Sequence, residues 1–155
     1  MEREFTVKAI GVIRTPYAEP AGTPVQGALE PDAKATVEVF DEYAEGLDDI
    51  EGFSHIVLLY KFHKAKTPAL VVKPFLVEDL KGVFATRSPR RPNGIGLTVV
   101  RLLERDGNVL RVAGADMFDG TPLLDIKPYV PDFNEKTDVR CGWLDEPLRE
   151  RRENH

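Results

Sequence analysis

Apolar residues along this chain recur at alternate positions in short runs broken by proline and glycine, the period of half-buried strands rather than helices. Thr6 to Ile13 is rich in β-branched residues and ends at Thr15-Pro16, which predicts a first strand and a turn. Ala35 to Phe40 alternates in the same way, and Glu42 to Ile50 reads as a short helix. Phe53 to Phe62 is almost continuously apolar and predicts a strand buried on both faces. Val71 to Val77 and Val83 to Ser88 are further strand candidates. Ile95 to Leu103 and Val109 to Met117 flank Asp106-Gly107-Asn108, a hairpin signal. Between these runs, Pro16 to Pro31 holds Pro16, Pro20, Pro24, Pro31, Gly22 and Gly27, and predicts a long loop of the kind that usually carries function.

Many short strands joined by turns predict a small, mainly β single domain, a barrel or a sandwich, with one short helix and long connecting loops. The domain is expected over residues 1–147, with 148–155 a charged, solvated tail carrying Arg149, Arg151 and Arg152.

Composition narrows the class. Of the 155 residues, 42% are apolar and 30% charged, which excludes disordered and fibrous chains. Cys141 is the one cysteine, so no internal disulfide forms. Ile56-Val57-Leu58-Leu59 is the longest aliphatic stretch and is too short to span a bilayer. The charged start Met1-Glu2-Arg3-Glu4 lacks a following apolar run, so no signal peptide is expected. These features predict a soluble, cytoplasmic protein.

The net charge of −5 conceals an asymmetry. Residues 1–51 carry 4 bases and 12 acids, residues 52–103 carry 9 bases and 2 acids, and residues 104–155 carry 8 bases and 12 acids. Positive charge gathered in the middle third suits an anionic partner such as RNA or a phosphorylated metabolite, provided that folding keeps it together.

Three segments depart from plain strand patterning. Arg87-Ser88-Pro89-Arg90-Arg91-Pro92-Asn93-Gly94-Ile95-Gly96 is a preshaped irregular loop bearing three guanidiniums and an amide. It fits anion recognition, or else a rigid charged rim. Asp119-Gly120 predicts a turn, after which alternation puts Leu123, Asp125, Lys127 and Tyr129 on one face, about 7 Å apart in succession. Asp125 there could take a proton with Lys127 tuning it, or the two could be a weak surface pair. Pro128 places that end at a sheet edge. His63, beside Lys61, Lys64 and Lys66, could meet a ligand or simply be a surface residue. His55, His63, His155 and Cys141 have no metal-ligand spacing, and neither a dinucleotide-binding glycine fingerprint, a Walker A loop nor a nucleophile elbow is present.

Ala85-Thr86-Arg87-Ser88-Pro89-x-Arg91-Pro92-Asn93-x-Ile95-Gly96, followed by Asp119-Gly120-Thr121-Pro122-x-x-Asp125-Ile126-Lys127-Pro128-Tyr129, strongly resembles the TrmO (TsaA-like) family. The likeness runs from Ala9 to Trp143. It implies a small β-barrel working as a homodimer, with its site near the interface, that binds S-adenosylmethionine without a Rossmann fold. The implied reaction is methylation of N6 of threonylcarbamoyladenosine next to the anticodon of tRNA. By the same resemblance, Pro24, Val25 and Gln26, His63 and Lys64, Arg87, Leu97, and Asp119, Gly120, Thr121 and Pro122 match cofactor contacts. Arg91 and Asn93 match substrate contacts, and Asp125, Lys127 and Tyr129 are the catalytic candidates. Two departures stand out: Gly94 replaces the usual proline, which is expected to loosen the loop, and Val25 replaces a commonly basic residue. A barrel that binds S-adenosylmethionine as a non-catalytic sensor is the alternative from another class.

Overall fold

Alternation of inward and outward side chains closes the sheet into a barrel in the computed structural model, which describes residues 1–17 and 33–154. The strands are β1 (Gly11–Arg14), β2 (Lys34–Val39), β3 (His55–Lys61), β4 (Val71–Val72), β5 (Lys81–Gly82), β6 (Ile95–Asp106), β7 (Val109–Ala113) and β8 (Thr121–Pro128). Six of them close in the order β1-β2-β7-β6-β3-β8, every neighbour antiparallel, while β4 and β5 form a separate two-stranded ribbon. Ile13, Val37, Ile56, Leu58, Leu110, Val112 and Leu123 fill the interior and are fully buried. A six-stranded barrel is packed solid by such side chains, so a ligand must sit at a mouth or on the outside.

The barrel anticipated from the resemblance is thus present, and several local expectations shift. The first strand starts at Gly11 rather than Thr6, because its partner β2 ends at Val39, opposite Gly11, and offers earlier residues no ladder. The segment read as a short helix forms 3₁₀ turns instead, at Asp41–Leu47 and Ile50–Gly52. β3 is buried on one face only: Ile56, Leu58 and Tyr60 point inward, whereas Val57 and Leu59 are half-exposed on the outside. In the segment 71–88, Pro74 interrupts the run, leaving two short strands and a 3₁₀ turn at Val83–Ala85.

The hairpin at Asp106-Gly107-Asn108 is present, with Gly107 at φ 62° supplying the left-handed turn. A register shift opposite Leu59/Tyr60 separates Leu123, which faces inward, from Asp125 and Lys127, which pair with outward Leu59 and Val57. The single-face alternation expected for 123–129 is therefore broken by a bulge. β8 meets β1 only over Thr121–Leu123, so Pro128 lies where one edge is uncovered, as expected. Pro131–Asn134 forms a short helix α1, and Asp145–Glu153 forms a helix α2 with no buried residue, anchored through Trp143, whose indole N–H donates to the Ala85 carbonyl at 2.8 Å. No helix among the described residues is long and apolar enough to cross a membrane.

Candidate functional site

A cavity of about 640 Å³ opens at one mouth of the barrel. It lies where β3 ends, where β6 and β8 begin, and where the chain leaves β7 through Asp116, Met117 and Phe118. The arginine loop forms its outer wall through Arg87, Pro89, Arg90 and Arg91. Its floor is the end of the packed core, Tyr60 and Gly96.

The loop is rigid for identifiable reasons. Arg91 Nη1 donates to the carbonyls of Thr86 at 2.9 Å and Ser88 at 3.0 Å, folding the loop onto its own guanidinium. Arg90 Nε donates to Thr67 O at 3.0 Å, which ties the loop to the segment before β4. Arg87 has no hydrogen-bonded or ion-paired partner among the described residues, whereas Arg90 and Arg91 each give one guanidinium nitrogen to backbone carbonyls and keep the others towards the cavity that all three line. Gly94, the departure expected to loosen the loop, is hydrogen-bonded on both sides. It sits at φ 58°, a left-handed conformation closed to proline, and its N–H and carbonyl bond to Arg91 O and Phe62 N. Lys61 Nζ closes the same turn on Asn93 O at 2.9 Å.

On the opposite wall, Lys64 Nζ stands 5.7 Å from the centroid of the Phe118 ring. His63 Nδ1 lies 3.4 Å from Thr121 Oγ1, whose own proton goes to Phe118 O at 2.6 Å. Partial burial, then the charge of Lys64, push the imidazole pKa of His63 below its ordinary value against the pull of Asp119.

The structure brings His63, Lys64, Arg87, Arg91, Leu97 and Thr121 together around this cavity. Asp119 and Gly120 form the adjoining turn, but the Asp119 carboxylate reaches back to Thr15 N at 3.1 Å and towards Arg14 at 3.9 Å. Pro122 pairs with Val12 on the neighbouring strand. Asn93 is exposed and lies outside the cavity lining, and Pro24, Val25 and Gln26 lie outside the described residues.

Asp125, Lys127 and Tyr129 occupy a different place, on or beyond the outer face of β8. Lys127 Nζ and Asp125 Oδ2 pair at 3.0 Å, and the Asp125 Oδ1 accepts the Ile126 N–H at 2.9 Å. Tyr129 stacks edge-on against His55 with ring centroids 6.3 Å apart. Asp125 and the cavity are joined by one rung of the sheet, Asp125–Leu59–Leu97, so their backbones lie about 10 Å apart across two strand spacings. The intervening strand β3 presents half-buried Val57 and Leu59 outward. Beside them, outward Ile95, Leu97 and Val99 on β6 are 46, 43 and 38% exposed, so the ground from the cavity to the ion pair is apolar.

Sequence reading missed one feature of the cavity. The Tyr60 hydroxyl lies 2.8 Å from Thr98 Oγ1, which donates to Asp116 Oδ1 at 3.0 Å. Since the one Thr98 proton goes to the carboxylate, the Tyr60 hydroxyl must be the donor to Thr98. The available signal was Asp116 itself, a lone acid inside the apolar run Val112 to Phe118.

Residues 12–135 match the family model described as the tRNA-methyltransferase O N-terminal domain. A Pyrococcus abyssi protein named "Probable S-adenosyl-L-methionine-binding protein" is 56% identical over 138 residues, covering 89% of this chain and 75% of that protein. A mouse tRNA (adenine(37)-N6)-methyltransferase is 39% identical over 132 residues, covering 81% of this chain and 31% of the mouse protein. The crystal structure of TrmO from Pseudomonas aeruginosa superposes with a TM-score of 0.76 at 40% identity, covering 92% of this chain and 63% of that one. The chain thus spans less than two thirds of the solved enzyme and about a third of the mouse one. With a barrel that superposes on a solved TrmO and a family match over most of its length, this chain belongs to the TrmO family.

Proposed function

We propose that this chain is an S-adenosylmethionine-dependent tRNA methyltransferase that methylates N6 of threonylcarbamoyladenosine beside the anticodon. The observation that carries the reading is the shared outer face. A cation-lined cavity and the Asp125–Lys127 pair border the same apolar strip, one rung apart. The names of the relatives support the cofactor and the RNA substrate.

The cavity fits the cofactor by size and by donor set. Its volume falls within the range of about 300–1,000 Å³ usual for small-molecule sites. Lys64 and Arg87 would take the amino-acid carboxylate, and Ile95, Leu97 and Phe118 supply apolar surface. Bound there, S-adenosylmethionine supplies an electrophilic methyl group on sulfur.

This chain's own residues then have to position the acceptor nitrogen and remove its proton. Asp125 is the proposed proton acceptor for N6–H, and Lys127 at 3.0 Å holds its carboxylate in place. The threonylcarbamoyl group carries a carboxylate of its own, for which Arg91 and Lys127 are the proposed partners, with Asn93 and Tyr129 contacting the nucleoside. A second copy of the chain covering the apolar strip between cavity and ion pair is part of this reading, which makes the working unit a homodimer.

The test is incubation of purified protein with radiolabelled S-adenosylmethionine and tRNA carrying or lacking threonylcarbamoyladenosine, followed by digestion to nucleosides. Label on that nucleoside alone is expected. Cofactor retained without transfer would replace the enzyme with the sensor.

A further inference from the structure

Among the described residues, the polar side chains buried in the barrel are Thr98 and Thr121; Thr121 lines the cavity, and Thr98 bonds Tyr60 and Asp116, which line it. Thr121 spends its proton locally on Phe118 O. Thr98 instead relays a hydrogen bond from buried Tyr60 to the carboxylate of Asp116, at 2.8 and 3.0 Å. Burial of a hydroxyl pair costs free energy that an apolar pair of the same shape would avoid, so such a chain needs a reason beyond packing. Its effect is to fix one carboxylate at the cavity wall.

Charge around the cavity supplies the reason. Among the described residues, Lys64, Lys66, Arg87, Arg90 and Arg91 line it together with one acid, Asp116. For a ligand bearing only negative charge, Asp116 would be a repulsive wall in a site otherwise built to attract. For a ligand carrying both signs, it is a contact. The carboxylate, the ammonium and the sulfonium of S-adenosylmethionine are such a set, with one negative and two positive groups.

We propose that Asp116 is the anionic contact for the positive charge of the cofactor, with Thr98 and Tyr60 as its positioning residues. The proposal rests on the cofactor reading above and adds a residue to it. Burial and the nearby Asp116 charge also push the Tyr60 hydroxyl well above its ordinary pKa, so it remains a proton donor throughout the working range.

Calorimetric binding of three probes tests the assignment: S-adenosylmethionine with two positive groups, S-adenosylhomocysteine with one, and 5′-methylthioadenosine with none. Asp116→Asn keeps the shape and an oxygen for the Thr98 hydroxyl. It is expected to weaken S-adenosylmethionine about tenfold and methylthioadenosine less than about twofold. S-adenosylhomocysteine weakened like S-adenosylmethionine would identify the ammonium as the contact, and weakened no more than methylthioadenosine, the sulfonium. Equal weakening of all three probes, or of none, would overturn the proposal. Thr98→Val should show the same charge dependence at smaller size, and Thr98→Ser should restore wild-type binding. Failure of the wild-type protein to bind S-adenosylmethionine would remove the cofactor reading, and this inference with it.

Discussion

Gly96 faces Tyr60 across the β3–β6 ladder so closely that a side-chain carbon on Gly96 would stand 2.6 Å from Tyr60 Cζ. The same carbon would stand 2.9 Å from Phe62 Cζ, and the two rings meet edge-on at 5.5 Å. The glycine therefore makes room for the aromatic pair that floors the cavity. Gly96→Ala is expected to cost about 1–3 kcal/mol by overpacking, read as a lower thermal midpoint. Adding Tyr60→Leu to the same chain should recover part of the loss, and no recovery would mean that the ring is not the obstacle.

His63 gives a pH dependence with a definite sign. Its pKa is lowered in the folded protein, so on acidification the unfolded chain takes up a proton before the folded one does. The stability linked to this group is present above the unfolded value near 6.5 and is lost as pH falls through the lower folded value. His63→Gln should therefore show a shallower fall in thermal midpoint between pH 7 and pH 5 than wild type. An unchanged or steeper fall would show that the ring is not held neutral by its surroundings.

Asp125 lies outside the cavity lining while Lys127 holds it on the outer face. Asp125→Asn is expected to lower single-turnover methylation by about 10²–10⁴-fold, with cofactor affinity unchanged within about twofold. Unchanged turnover would remove Asp125 from proton transfer.

Arg105 clamps the 3₁₀ turns to the β6–β7 hairpin. Its Nη1 donates to Leu47 O and to Glu51 at 3.1 Å each, and its Nε donates to Gly107 O at 2.8 Å. The Glu51 carboxyl is held below its ordinary pKa by a backbone hydrogen bond and then by Arg105. Arg105→Ala should cost about 1–2 kcal/mol in urea unfolding and leave methylation per folded molecule unchanged. A loss of activity in the folded fraction would tie these turns to the site.

Local pattern was enough where one strand's own chemistry decides the outcome. The hairpin at Gly107, the strand β2 and the turn at Asp119-Gly120 follow from period two and from glycine's access to positive φ. Regions whose state depends on distant partners read less well. β1 starts only where β2 ends opposite it, and Asp41–Leu47 tightens into 3₁₀ turns although its composition permits a helix. The face of Asp125 hinges on a bulge set against Leu59 and Tyr60, residues more than sixty positions away.

The site divides along the same line. The candidate residues stand in the chain as short motifs, the arginine loop, His63-Lys64 and Asp125-x-Lys127, whose residue types announce charge chemistry. Tertiary structure decided which charges are used up. Arg91 and Arg90 each give one guanidinium nitrogen to backbone carbonyls while Arg87 gives none, and Asp116 is joined through Thr98 on β6 to Tyr60 on β3. A hydrogen-bond partner is a matter of a few ångströms in space, and antiparallel pairing puts residues dozens of positions apart at that distance. Alternation along one strand records which side chains point inward, but only closure of the barrel determines what they meet there.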